Sequence, residues 1–443
     1  MKDPITNEVI HPVTMGDAVY LDNGSRLEDN IRYCRNKAFE IGDLDKLLTT
    51  NKHTLVAAIN EILTKSSNSQ FGVRFVGSNS VGERIGDAFD LVAEPAYFGV
   101  NDIRNDFDNI YPWSEIKRCV INQYGEIVAY EGEPGFSTNG LLGDVFVEIP
   151  KFYQKCYKDD TNNYVEYWIS SVKDNGFWLN PAFKDGDVEL DHIYIGCYEG
   201  TYDAHELYSR AGSIILGNKT LAKYRELAQA KGNGFKLCDY YERNVIEYLF
   251  MIEYANRNTQ DLYKGNCTAS VYQTGMTDSL DRPSEGTIDT YSSPFRYRYM
   301  ENIYGNVWEV MDGIIIRNDK PLICLDPTKY NDIDQYTELP TLVINTSEAT
   351  KDFFISDRTF DAQIPYINLP KYNESLVSTN NTYYSDYALM PYNVNSVDTA
   401  VLVGGRTGMD DNAKVGLFTT DMMNSLEYSD IYMTARLCYK PKV

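Results

Sequence analysis

The stretch Tyr299-Met300-Glu301-Asn302-Ile303-Tyr304-Gly305-Asn306-Val307-Trp308-Glu309-Val310 constrains this chain more than any other. Gly305-Asn306 is a turn dipeptide, because both residues tolerate positive φ. Val307-Trp308-Glu309-Val310 then reads as a strand dominated by Val and Trp. A tryptophan directly after a tight turn is costly to leave in water, since burying one removes about 150–250 Å² of surface. The stretch predicts a hairpin whose Trp308 plugs a core.

Around that core the chain has 443 residues, room for two or three domains. Hydrophobic residues at 43% and charged ones at 24% describe a globular chain. The net charge of −23 repels phosphate backbones and anionic lipid, so neither nucleic acid nor a membrane surface is an expected partner. No run of 18 apolar residues predicts a membrane span, and the first five residues carry no apolar leader core. The eight cysteines are spread out, with no C-x-x-C pair, and read as reduced core thiols. The four histidines are too scattered for a zinc site. The 36 tyrosines suit half-buried positions on sheets, or an amphipathic binding surface.

In chain order, residues 1–30 read as an extended arm with no core of its own. Leu27, Ile31, Cys34 and Ala38 open a helical stripe, and Leu55, Ile59 and Ile62 form another behind a Thr50 or Asn51 cap. Alone such a helix is too short to be stable, so burial by partner copies or by an αα-hairpin is expected. Within it, Ile41-Gly42-Asp43-Leu44, Thr49-Thr50 and Leu55-Val56-Ala57-Ala58-Ile59-Asn60-Glu61 resemble a motif of bacteriophage fibre proteins. That resemblance implies a trimeric neck over 31–66, joining an attachment end to a distal domain. Ser66-Ser67-Asn68-Ser69-Gln70 is a polar linker. Beyond it, strands are predicted at 71–76, 119–121, 126–130, 145–150, 164–170 and 192–198. Helices are predicted over 221–231 and on the Val245, Leu249, Ile252 and Ala255 face.

The Gly305-Asn306-Val307-Trp308-Glu309 string resembles the signature of the formylglycine-generating-enzyme branch of the C-type lectin fold, with Val310 where that family usually has a second Trp. Residues 236–242, the glycine pair Gly404-Gly405 before Arg406, and Arg436 in the terminal strand follow the family's order of elements. The resemblance implies an α+β, C-type lectin-like domain over 67–443, with Gly305, Asn306, Trp308, Glu309, Gly404, Gly405 and Arg436 as its structural signature.

The family's oxidase chemistry uses two C-terminal cysteines on copper, and thiolates are what Cu(I) selects. Here only Cys438 follows Gly405, so no enzyme, no catalytic residue and no metal or cofactor is expected. Asp410-Asp411-Asn412 offers oxygens of the kind calcium takes, but reads better as an exposed acidic turn. The candidate binding loops span 390–430. Their candidate ligand-binding residues are Tyr392, Asn393, Asn395, Asp398, Arg406, Met409, Asp410, Asp411, Asn412, Phe418, Asp421 and Tyr428. This mix resembles the C-terminal segment of diversity-generating-retroelement variable proteins.

Together these resemblances imply a homotrimeric phage fibre protein, assembled in the bacterial host cytoplasm. Its arm would attach to a virion protein and its distal loops to a host surface glycan or protein. The alternative is a decoration or baseplate protein that uses the fold only for protein contacts.

Overall fold

Alternation builds the first sheet. In the strand Gln70–Val76, Phe71, Val73 and Phe75 are buried while Val76 is exposed and Arg74 only half-buried. In this computed structural model the strand lies between Glu83–Gly86 and Tyr164–Ser170. Tyr153–Asp159 and the edge strand Trp178–Leu179 complete an antiparallel sheet of five. A second sheet, also antiparallel, runs Phe235–Leu237, Leu437–Tyr439, His192–Gly196, Asp144–Pro150, Lys117–Ile121 and Ile127–Tyr130. The third and largest is organised on the ten-residue strand Trp308–Arg317, which pairs with Lys320–Ile323, Thr399–Val403 and, in parallel, Met433–Thr434. The structure describes residues 69–203, 205–345, 351–376, 378–390, 397–409 and 414–442, and Ser69–Val443 forms one compact unit.

Two α-helices occur among the described residues, α1 over Leu221–Gln229 and α2 over Tyr240–Tyr254. The side chain of Thr220 caps α1. In α2 every residue is buried, which marks a helix enclosed on all sides rather than one lying on a surface. A capping box starts it: Asp239 accepts from the amides of Tyr241 and Glu242 at 3.0 and 3.1 Å, and Glu242 accepts from the Asp239 amide at 2.9 Å. Ala255 ends it in the left-handed region, at φ +48°.

The expected α+β, C-type lectin-like fold with a helical neck is corrected by this arrangement. The described residues are mostly β, with 27 strands against two α-helices. The physical reason is the density of β-branched and aromatic residues after Gln70, which favours pleated, half-buried surfaces over a helical layer. The arm and neck readings at 1–30 and 31–66 lie outside the described residues. A smaller correction concerns the last strand. The terminal strand expected to carry Arg436 is two short strands, Met433–Thr434 and Leu437–Tyr439, which belong to different sheets with Arg436 between them.

Many tyrosines are core struts rather than surface rings. Tyr198, Tyr224, Tyr240, Tyr241, Tyr248, Tyr263, Tyr297 and Tyr304 are among the largest fully buried side chains. All of their hydroxyls except that of Tyr240 find hydrogen-bond partners, as buried polar tips generally do. The Tyr224 hydroxyl donates to the Met433 carbonyl at 2.6 Å, Tyr248 to Pro365 at 2.8 Å, and Tyr304 to Tyr263 at 2.7 Å.

Candidate functional site

The signature residues form a buried polar frame. Gly305 and Asn306 have φ of +78° and +62°. The Gly305 amide donates to the Gly404 carbonyl at 3.0 Å, and a Cβ on Gly404 would sit 3.1 Å from the Tyr304 Cα, so side chains are excluded where these two turns meet. Asn306 accepts at Oδ1 from Asn266 and from the Tyr272 amide, both at 2.9 Å, and donates to Glu199 at 2.9 Å. Trp308 is 7% exposed and packs with Val310, Leu402, Met433 and Leu437. Glu309 receives the Arg436 guanidinium, whose other donors reach the carbonyls of Gly196 at 3.0 Å and Glu301 at 2.8 Å. Burial raises the Glu199 carboxyl well above its ordinary range, and its Oε1 has no hydrogen-bond partner. Nothing in this frame is open to a ligand: its work is to hold strands from different sheets together.

The candidate loops at 390–430 are not gathered into one site. Tyr392, Asn393, Asn395, Asp410, Asp411 and Asn412 lie outside the described residues. Asp398 is taken up by Arg317, with bonds of 2.6 and 2.8 Å. Arg406 lies over the Tyr432 ring at 4.6 Å and donates to the Thr407 carbonyl. Met409 is half-buried against the core, and the Tyr428 hydroxyl donates to Asp430 at 3.2 Å. Phe418 and Asp421 are corrected as ligand-facing residues. Phe418 is 1% exposed and packs edge-on against Tyr384. Asp421 is buried and accepts from the Met423 amide and Asn424, both at 2.9 Å. Both side chains close the domain from within.

Elsewhere the topology assembles a cleft of about 1120 Å³ from three distant segments. The first is 173–189. Gly176, at φ +77°, turns the chain into the edge strand Trp178–Leu179, where alternation sends Leu179 inward and Trp178 outward. The second is 325–328, where Asp326 caps the short turn Pro327–Lys329. The third brings in Gln363 and Tyr366. Trp178 is 40% exposed, and among the described residues its ring meets no other ring or cation and its Nε1 no acceptor. The floor holds Tyr153, whose hydroxyl donates to Glu189 at 2.9 Å, and this bond draws the Glu189 carboxyl below its ordinary value. Lys442 closes one end through Asp185 at 3.0 Å. The hairpin tip at Gly186, where a Cβ would meet nothing within 4 Å, presents Asp187. The lining carries Lys173, Lys184 and Lys442 against Asp174, Asp185, Asp187, Glu189 and Asp326, and it contains no arginine. A wet aromatic ring beside many hydroxyl, amide and carboxylate groups suits recognition of a hydroxyl-rich ligand.

Residue order did not show that Cys438 has a neighbouring thiol. Cys238, Cys438 and Glu242 bring their ligand atoms within 4.8 Å of one another, all buried. These donors do not fit the copper site implied by the family resemblance. The Lys236 ammonium already sits where a cation would be held, 2.7 Å from Glu242 and 2.8 Å from Asp239, and burial raises the Cys438 thiol well above its ordinary value. The Lys236 ammonium thus competes with any metal cation for the Glu242 carboxylate. No protein-family model matches the chain, and no curated protein matches it.

Proposed function

We propose that this chain is a receptor-binding protein of a bacteriophage fibre. In this reading, residues 1–30 attach it to the virion, 31–66 join three copies, and the unit from Ser69 onward meets the host cell surface. The observation that carries the reading is the order of parts: the fibre-like block at 41–61, a polar linker, then one compact unit of sheets from Ser69 onward. The buried polar frame supports it too, because recognition loops need a rigid scaffold beneath them. The work is binding rather than catalysis, with weak single contacts multiplied across copies.

A labelled full chain is therefore expected to bind the envelopes of at least one strain in a panel of bacteria, saturably and with strain selectivity. Flow cytometry over a concentration series reads this directly. Equal, non-saturating adsorption to every strain would contradict it.

A further inference from the structure

Resting on the receptor-binding reading, we propose that the cleft behind Trp178 is the receptor site and that it takes a neutral oligosaccharide. Four observations converge on that class of ligand.

Trp178 presents a large ring to water with no ring, cation or hydrogen-bond partner among the described residues. An indole kept wet on an edge strand forgoes the burial that its surface offers. A sugar ring stacks on such a platform through its C–H face, while the indole N–H and the surrounding polar groups meet its hydroxyls. The rim supplies both partners that a hydroxyl needs: acceptors such as Asp187 and donors such as Lys184.

The size and the charge then narrow the class. At about 1120 Å³ the cleft exceeds the roughly 300–1,000 Å³ of small-molecule pockets, so it accommodates several linked rings rather than one. Five carboxylates face three ammonium groups, and no guanidinium is present to fork a carboxylate or phosphate. The chain's net charge of −23 adds repulsion at longer range. Acidic glycans and phosphate polymers are therefore disfavoured, and uncharged hexose or N-acetylhexosamine chains are favoured.

The test uses the intact chain. Isothermal titration calorimetry, which reads wild type and Trp178→Ala by the same signal, follows the addition of a panel of neutral hexasaccharides built from hexoses and N-acetylhexosamines, and of a hexauronate. At least one neutral hexasaccharide is expected to give a saturable change, and the hexauronate a weaker one. Trp178→Ala should weaken that binding about tenfold or more while still unfolding cooperatively, and Asp187→Ala by a smaller factor with thermal unfolding unchanged at that exposed position. Tyr124→Ala, at an exposed ring outside the cleft, should bind as the wild type does. The proposal is overturned if no neutral hexasaccharide binds at millimolar concentration, if Trp178→Ala binds undiminished, or if the hexauronate binds more tightly.

Envelope binding separates this failure from failure of the receptor-binding reading. Wild type and Trp178→Ala are compared on envelopes treated with periodate, which cleaves sugar diols, or with protease. Loss with periodate and with Trp178→Ala supports the cleft. Binding that protease alone removes, or that Trp178→Ala retains, overturns the cleft and leaves the receptor-binding reading standing. Absence of any wild-type binding overturns that reading itself.

Discussion

Replacing Arg436 by leucine is expected to lower the free energy of unfolding by about 3–5 kcal/mol. The guanidinium is buried between elements that the sequence holds far apart. Its Nε meets both Glu309 oxygens at 3.0 and 3.2 Å, Nη1 donates to the carbonyls of Gly196 and Cys197, and Nη2 to Glu301. Removing it leaves a buried carboxylate and several carbonyls without their donors, which is why the cost exceeds that of an exposed ion pair. The charge is held firmly: burial alone would lower the Arg436 pKa, but Glu309 more than offsets this and the net shift is upward. Arg436→Lys should recover only part of the loss, since an ammonium cannot reproduce the forked contacts. Denaturant unfolding of the three proteins checks this, and an Arg436→Leu protein within 1 kcal/mol of wild type, well below the cost of about 3–5 kcal/mol for a broken buried pair, would remove the frame from the account.

Asp239→Ala is the second large effect, at about 3–5 kcal/mol. One carboxylate does two tasks. Its Oδ1 caps α2, and its Oδ2 accepts from Lys236 at 2.8 Å and from the Tyr330 hydroxyl at 2.9 Å. Alanine frees two helix amides and leaves the buried Lys236 with Glu242 as its one remaining carboxylate. Asp239→Asn keeps the cap and loses the charge, so it should fall between the two. The pH dependence has a definite sign. Burial pushes the Asp239 carboxyl up, but Lys236 and Lys440 outweigh it and the net shift is downward. Its contribution is thus complete above the ordinary aspartate value of about 3.9 and is lost as pH falls through the lower folded value. The gap between wild type and Asp239→Asn should accordingly be widest near neutrality and narrow in acid.

Legibility followed sequence distance. The strand Tyr164–Ser170 and helix α1 could be read because their periodicity is local, and Gly232 marks a stop just beyond α1. The Trp308 strand was also readable at its start, but not its length to Arg317, because Met311-Asp312-Gly313 interrupts the pattern where its pairing shifts register. The α+β reading came from the family resemblance, whereas the described residues hold only α1, which keeps an exposed face, and the enclosed α2. Among site residues, Phe418 and Asp421 looked like loop residues because a polar, glycine-bearing neighbourhood resembles an exposed one in sequence. The cleft was not legible at all. Trp178, Leu325 and Tyr366 come together only once the sheets are assembled, and the one local sign was a tryptophan in a run of Asn, Asp and Gly. The partner of Cys438 was hidden for the same reason, since Cys238 stands 200 residues earlier.

In the proposed function, the unit after the linker is the part that meets the host. Adsorption of intact virions to host cells, compared with virions whose copies of this chain lack residues 67–443, tests it most directly. Truncated particles are expected to assemble normally and fail to adsorb. Truncated particles that adsorb at the wild-type rate would contradict it.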